Sequence, residues 1–333
     1  MTLAGVALFV YFVQRVGVDE IFRDVSNLGL FGFVLILFLY SFRILSRAVA
    51  WKLSVPKPHE LSLRDTLPGV IMGEAMSSLI PLGPIVSGTT KVLAVRHKLP
   101  LVVGFATITI ENMFYTNMTA LLIGGGALLI LRMFNMAEPW VIALDILLAF
   151  NLLLITFIIT IIVRQWHLIS GLAEMLQRRG IMVGLMERSK FKIRLFENLF
   201  FDFYRNHYRR IPSLMLCQVI FHTFGIIEVW YILSRLLQSP PGFINAFLFE
   251  SVNRGVIILF KMIPFSVGVD EAGAELLADK LALAAGVGAT LAIIRKGRTL
   301  FWTAIGVTLV IARGLHRLIF SETGIAKTPS ENL

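Results

Sequence analysis

The sequence predicts an all-α polytopic membrane protein, with about seven to eight transmembrane helices and two Pro/Gly-broken re-entrant hairpins in two related halves. Three observations predict it. Of 333 residues, 56% are hydrophobic and 16% charged, and the mean hydropathy is +0.79, far more apolar surface than one water-soluble core of this size needs. Apolar runs long enough to cross a hydrocarbon layer of about 30 Å, at about 1.5 Å per residue, recur along the chain. Two segments, from Ser78 to Pro84 and from Lys261 to Gly268, break with proline and glycine, and each leads into a long apolar helix with a charge inside it. Backbone broken at membrane depth is tolerated only where protein or a water-filled cavity satisfies it, so paired breaks mark a polar path through the bilayer.

In chain order, spans are expected near residues 2–14, 30–51, 99–131, 139–163, 211–236, 243–262 and 284–316. The first has the length of a signal h-region but lacks a basic flank and a small-residue cleavage site, and is expected as a retained span. The third and last are long enough to tilt, kink or break, with Gly286, Gly288 and Gly297 marking where the last would split. Residues 67–95 are apolar but interrupted by Pro68, Gly73, Pro81, Gly83, Pro84 and Gly88, which suits a hairpin that enters the membrane and returns. Residues 264–283, opened by Pro264 and Gly268, are its expected counterpart. One integral domain over 1–318 is predicted, followed by a flexible tail, 319–333.

The formal net charge of +10 reads as cytoplasmic loops and anionic headgroups, since this hydropathy excludes an ordinary nucleic-acid binder. Cys217 is the single cysteine, so no intrachain disulfide forms, and no Cys/His cluster has metal-ligand spacing; no cofactor is expected. Residues 164–210 carry Arg164, Arg178, Arg179, Arg188, Lys190, Lys192, Arg194, Arg205, Arg209 and Arg210 against few acids. The positive-inside rule places this connector in the cytoplasm of a multi-pass protein of the cell (inner or plasma) membrane, with the loop holding Lys52, Lys57 and Arg64 on the same side. Phe191, Leu195, Leu199, Phe200 and Phe203 recur at near-helical spacing there. That pattern suits a helix in the headgroup plane or a plain amphipathic connector.

A charge near the bilayer centre costs about 3 kcal/mol or more unless paired or hydrated, so ionisable residues inside apolar runs need partners or roles. Glu111, with Asn112 beside it and Thr107 and Tyr115 one turn away, reads equally as a structural carboxyl and as a site residue. Glu250 and Arg254 are spaced for an intrahelical ion pair, and Asn253 adds a polar group. Guanidinium is the group best shaped to grip phosphate, which favours Arg254 as a binding residue. Arg295, Lys296 and Arg298 are either a second cationic cluster or a short loop between two helices. Glu228, His222 and Asp145 read as helix contacts. After Pro84, the run Ser87-Gly88-Thr89-Thr90-Lys91 offers a helix start suited to an anion. After Gly268, Asp270, Glu271, Glu275 and Asp279 form an acidic stripe able to pair with Arg254 or Arg295.

The residues from Phe249 to Arg254, then Met262-Ile263-Pro264, Gly268-Val269-Asp270-Glu271 and Arg295-Lys296-Gly297-Arg298, resemble the signature of the lysylphosphatidylglycerol synthase transmembrane, or flippase-like, family. The segment Ser77 to Lys91 is similar to that family's earlier Pro/Gly element, and the resemblance covers residues 1–318. It implies a membrane domain that handles anionic lipids, including aminoacylated phosphatidylglycerol, hopanoid-related lipids and polyprenyl-phosphate-linked sugars. The synthase members carry a further soluble aminoacyl-transferase domain, and no segment here is long and polar enough to be one. Three readings follow: a lipid transporter, an intramembrane transferase with Glu111 or Glu271 as base, and a non-catalytic scaffold for a lipid-modifying enzyme. For the transporter, which is favoured, the partners are membrane lipids with anionic headgroups and the site residues are Arg254, Arg295, Arg298, Lys91, Glu111, Asn112, Glu271 and Asn253. Pro81, Gly83, Gly88, Pro264 and Gly268 shape the hairpins.

Overall fold

The computed structural model describes residues 18–80, 83–179 and 183–322. The expected first span, Pro81 and the tail beyond Glu322 lie outside these residues. Every regular element described is helical: α1 (Val18–Leu53), α2 (Leu63–Leu79), α3 (Gly83–Ala94), α4 (Leu101–Met133), α5 (Glu138–Arg164), α6 (Leu168–Arg178), α7 (Val183–Asn206), α8 (Ile211–Leu236), α9 (Phe243–Leu259), α10 (Val269–Lys280) and α11 (Val287–Glu322). Among the described residues four stretches are long and apolar enough to cross a membrane: Leu28–Leu53 of α1, α4, α5 and Tyr208–Leu236 around α8. The 36-residue α11 has the length but carries Arg295, Lys296 and Arg298 in mid-helix, and α9 is shorter at 17 residues.

Two halves of matching design emerge from these lengths. The first runs through a 26-residue arm of α1, then 17, 12 and 33 residues in α2, α3 and α4. The second runs through 26, 17, 12 and 36 residues in α8, α9, α10 and α11. Their packing is exchanged in pairs: α1 lies against α8, α11 against α2, and α4 against α9. A two-fold relation between the halves requires that exchange. At one end of the bundle, Arg210 before α8 donates to the carbonyls of Leu53, the last residue of α1, and Val55 just beyond it, at 3.1 and 2.7 Å. There Lys98, before α4, pairs with Asp65 at the start of α2 at 2.8 Å. At the other end, Leu28 clusters with residues from the last turn of α8 and the first turn of α11. The α2/α3 hairpin therefore enters from the first end and α9/α10 from the second, which makes the repeat inverted.

The sequence explains the hairpin shapes. At about 1.5 Å per residue α3 and α10 reach only about 18 Å, too short for the hydrocarbon layer. In the first hairpin Gly73 faces Ser87 and Lys91 while Gly83 faces Ser77, so α2 and α3 run antiparallel. The second differs from the expectation of a two-armed hairpin within 264–283. That stretch holds one helix, α10, and its partner arm is α9, with the turn at residues 260–268. Pro264 opens a short 3-10 turn there, and Phe265, Ser266 and Gly268 have φ of 53, 48 and 83°. Gly268 is the one residue of these three without a Cβ to resist that left-handed conformation.

Each hairpin anchors its own core. Val70, Val92 and Val95 pack with Ile44, Trp51 and Val103, whereas Phe249, Leu277 and Ala278 pack with Ile36, Val229 and Leu291. The connector becomes the α6/α7 pair, in which Glu197 accepts the Ile169 and Ser170 amides at 2.8 and 3.2 Å and so caps α6. Its aromatic stripe does not all face headgroups. Phe200 and Phe203 are buried against Ala50, Ile110, Phe114 and Leu214, while Phe191 stays 77% exposed. The C-terminal half of α7 is docked on the bundle.

Candidate functional site

The tips of the two hairpins meet, since α2 packs against the turn at Pro264–Ser266. Beside them lies a cavity of about 420 Å³. Its charged lining is Arg47, Arg254, Lys261, Arg295, Lys296 and Arg298 against only Glu74 and Asp270, with Ser77, Ser87, Asn112 and Thr116 among the neutral groups.

Five of these cations, all but Lys261, are positioned from behind by carboxylates that do not reach the cavity. On α9, fully buried Glu250 accepts from Arg254 of the same helix at 2.7 and 2.8 Å, from Arg295 on α11 at 2.7 Å and from Arg43 on α1 at 3.1 Å. On α8, fully buried Glu228 accepts from Arg298 and lies 3.7 Å from Arg43. Fully buried Glu271 pairs with Lys296 and accepts the Gly268 amide at 2.8 Å, capping α10. In the first half, Glu111 on α4 accepts two bonds from Arg47 at 2.9 and 3.1 Å, and Lys91 lies 3.5 Å away. Arg47 also bonds Asn112 at 2.9 Å and sits 4.5 Å from the centre of the Tyr115 ring. Tyr40 donates to Glu74 at 2.8 Å and lies under Arg298, 4.1 Å from ring centre to guanidinium. Desolvated charges are tolerable in such a network because nearly every one has a partner of opposite sign within hydrogen-bond reach.

Arg254, Arg295, Arg298, Asn112 and Asn253 all line the cavity, and Asn253 links Arg295 at 2.9 Å to Asp270. Glu111, Glu271 and Lys91 do not line it. Lys91 is 1% exposed and turned to Glu111, so the anion-binding start proposed for its helix keeps only Ser87 at the cavity. A Cβ on Gly88 would meet only Ile108 at 3.5 Å, an ordinary contact. Arg295, Lys296 and Arg298 lie within one continuous helix rather than a loop. No member of the acidic stripe pairs directly with Arg254 or Arg295, and Asp270 reaches Arg295 only through Asn253. Glu275 accepts the Gly286 and Ala289 amides at 2.7 and 3.0 Å, and Asp279 is exposed. Asp145 is exposed on α5, while His222 bonds Thr119 at 3.2 Å.

Sequence reasoning missed Arg43, Arg47, Glu74, Tyr40 and Lys261. The signal for the first two was present: arginines four apart inside an apolar span, on one helical face, at a depth where charge demands a partner.

These features define a polytopic α-helical membrane protein with an inverted repeat and a cation-lined cavity between its hairpins. The family described as the lysylphosphatidylglycerol synthase TM region matches residues 1–306, and the chain belongs to that family. It is thereby related to proteins of lipid modification or transport at membranes. No curated protein and no solved structure matches the chain.

Proposed function

We propose that this protein is a lipid transporter, flippase- or scramblase-like, that moves an anionic phospholipid or a polyprenyl-phosphate-linked lipid across the bilayer. The observation that carries this reading is the sign of the cavity. Among the described residues six cations face it and two acids do, while Glu111, Glu228, Glu250 and Glu271, which hold five of the six, are buried behind them. A headgroup phosphate fits between Arg254, Arg295 and Arg298, whose forked donors match its oxygens. Acyl or isoprenyl chains stay in lipid. Residues 1–318 act as one integral unit in the cell membrane, the hairpins are re-entrant, and the basic connector at 164–210 faces the cytoplasm. Transport is favoured over transfer chemistry because Glu111 and Glu271, the candidate bases, are fully buried in ion pairs and do not line the cavity.

The test is reconstitution of the full chain into vesicles with a fluorescent anionic phospholipid whose outer-leaflet label is quenched by dithionite. Arg254→Ala or Arg295→Ala should abolish lipid movement, and Arg→Lys at either position should restore it only partly, because a point charge lacks the bidentate fork. Mass spectrometry of the same vesicles should show no new lipid. A product that disappears with Glu111→Gln or Glu271→Gln would replace the transporter with an enzyme.

A further inference from the structure

Resting on the transport reading, a more specific assignment follows from the one cavity cation that lacks a carboxylate. Arg47, Arg254, Arg295, Lys296 and Arg298 each have an acidic partner. Lys261 lines the same cavity, is exposed, and has no ion pair or hydrogen bond from its side chain among the described residues. An ammonium held within the membrane without a counter-charge is costly, about 2.5–3.5 kcal/mol at the bilayer centre on insertion scales. Water in the cavity relieves part of that cost, and an anionic ligand relieves it further.

The surroundings of Lys261 say which way such a ligand arrives. It follows directly on α9, at the tip of the second hairpin. Its chain neighbours Leu259, Phe260 and Met262 are 72%, 41% and 50% exposed, and Ile257, Ile263 and Phe265 line the cavity beside it. These are open apolar groups on the same turn as a residue that lines a polar cavity. A ligand with an anionic head and apolar tails satisfies both surfaces at once, the head at Lys261 and the tails along these apolar groups. Free phosphate satisfies only the first.

We infer that Lys261 is the headgroup-capturing residue: it contacts the phosphate of a lipid entering sideways between the hairpin tips, before the paired arginines deeper in the cavity receive it. The ion-paired cations must share or exchange their carboxylates to bind a ligand, whereas Lys261 has nothing to give up. Lysine also suits capture, since its flexible four-carbon stem lets the charge follow a moving headgroup.

Binding by the detergent-purified full chain separates the cases, with dioctanoylphosphatidylglycerol as probe, dioctanoylglycerol as the uncharged control and inorganic phosphate as the tail-less one. Lys261→Gln should weaken binding of the charged lipid about tenfold. Lys261→Arg should stay within about threefold of the native protein, and the uncharged control should be insensitive to both changes. Because Lys261 has no partner to orphan, both variants should keep the native unfolding temperature. Binding by Lys261→Gln within twofold of native overturns the assignment. So does inorganic phosphate bound as tightly as the lipid with the same dependence on Lys261, since the site would then be one for free phosphate. In vesicles, movement unaffected by Lys261→Gln at limiting lipid overturns this inference alone. Lys261-dependent binding with no movement by the native protein overturns the transport reading alone.

Discussion

Glu111 in the first half and Glu250 in the second are both fully buried carboxylates at the centre of a cation cluster, yet they serve the cavity unequally. Glu111 lies on a long helix, and one of its cations, Lys91, comes from a hairpin arm and is sealed inside. Glu250 lies on a hairpin arm, and two of its cations, Arg254 and Arg295, face the cavity. Helix α1 serves both, sending Arg47 to the first and Arg43 to the second. The same hairpin plan thus turns one cation of Glu111, Arg47, and two of Glu250, Arg254 and Arg295, to the cavity, while Lys91 in the first half stays sealed as a brace.

Removing each acid in turn should break this comparison most visibly. Glu250→Gln leaves Arg254 and Arg295 without a carboxylate and Arg43 with only Glu228 at 3.7 Å, whereas Glu111→Gln orphans one buried cation, Lys91, and leaves Arg47 still near Glu74 at 3.5 Å and bonded to Asn112. Unpairing a buried charge costs about 3–5 kcal/mol, so thermal unfolding in detergent should show Glu250→Gln as the larger loss, at the upper end of that range. Equal losses would mean that the two centres are not distinct.

A smaller effect probes the exchanged packing. Gly306 on α11 faces α2 so closely that a Cβ would lie 2.7 Å from the Ile71 carbonyl oxygen, and Gly126 on α4 faces α9 with Ser251 Cβ at 2.5 Å. Gly306→Ala and Gly126→Ala should each cost about 1–3 kcal/mol through forced separation of the helices. Unchanged unfolding for either would disprove that close approach.

The smallest effect sits outside the membrane helices. Burial pushes the Asp65 carboxyl up, but its bonds to Lys98 and Ser62 prevail and hold it down to about 2. A carboxyl depressed in the folded state adds stability that is complete above its ordinary value near 4 and is lost as pH falls through about 2. Because Lys98 is 43% exposed, Asp65→Asn should cost less than about 1 kcal/mol at neutral pH. The variant's unfolding temperature should then fall less steeply than the native between pH 4 and 2.

Much of the fold was legible because apolar length is a local property. The spans expected at 30–51, 139–163 and 211–236 lie within or nearly match Leu28–Leu53, α5 and α8. Proline and glycine located both hairpins, but the arms of the second were misjudged because α9 ends at Leu259, inside what reads as one apolar run to residue 262. The site was half legible. Arg254, Arg295 and Arg298 stood out by charge in apolar context, but their partners did not, because Arg43 meets Glu250 across 207 residues and Glu228 on α8 meets Arg298 on α11. Sequence spacing reports neighbours on one helix and is silent on which helices touch. The acidic stripe shows the converse error, for Glu275 looked free to pair with arginine until the backbone amides opening α11 claimed it.

The anchoring of the arginines by buried acids has an electrical consequence. Charges pinned to Glu228 and Glu250 stay with the protein frame, so these arginines do not travel with a ligand. On the proposed transport reading, a headgroup bearing one net negative charge would cross most of the membrane field uncompensated, and the transmembrane voltage would do work on it of up to about 2.3 kcal/mol per 100 mV. Turnover on such a lipid would be rectified by membrane potential, while a zwitterionic lipid on the same path would cross without regard to it.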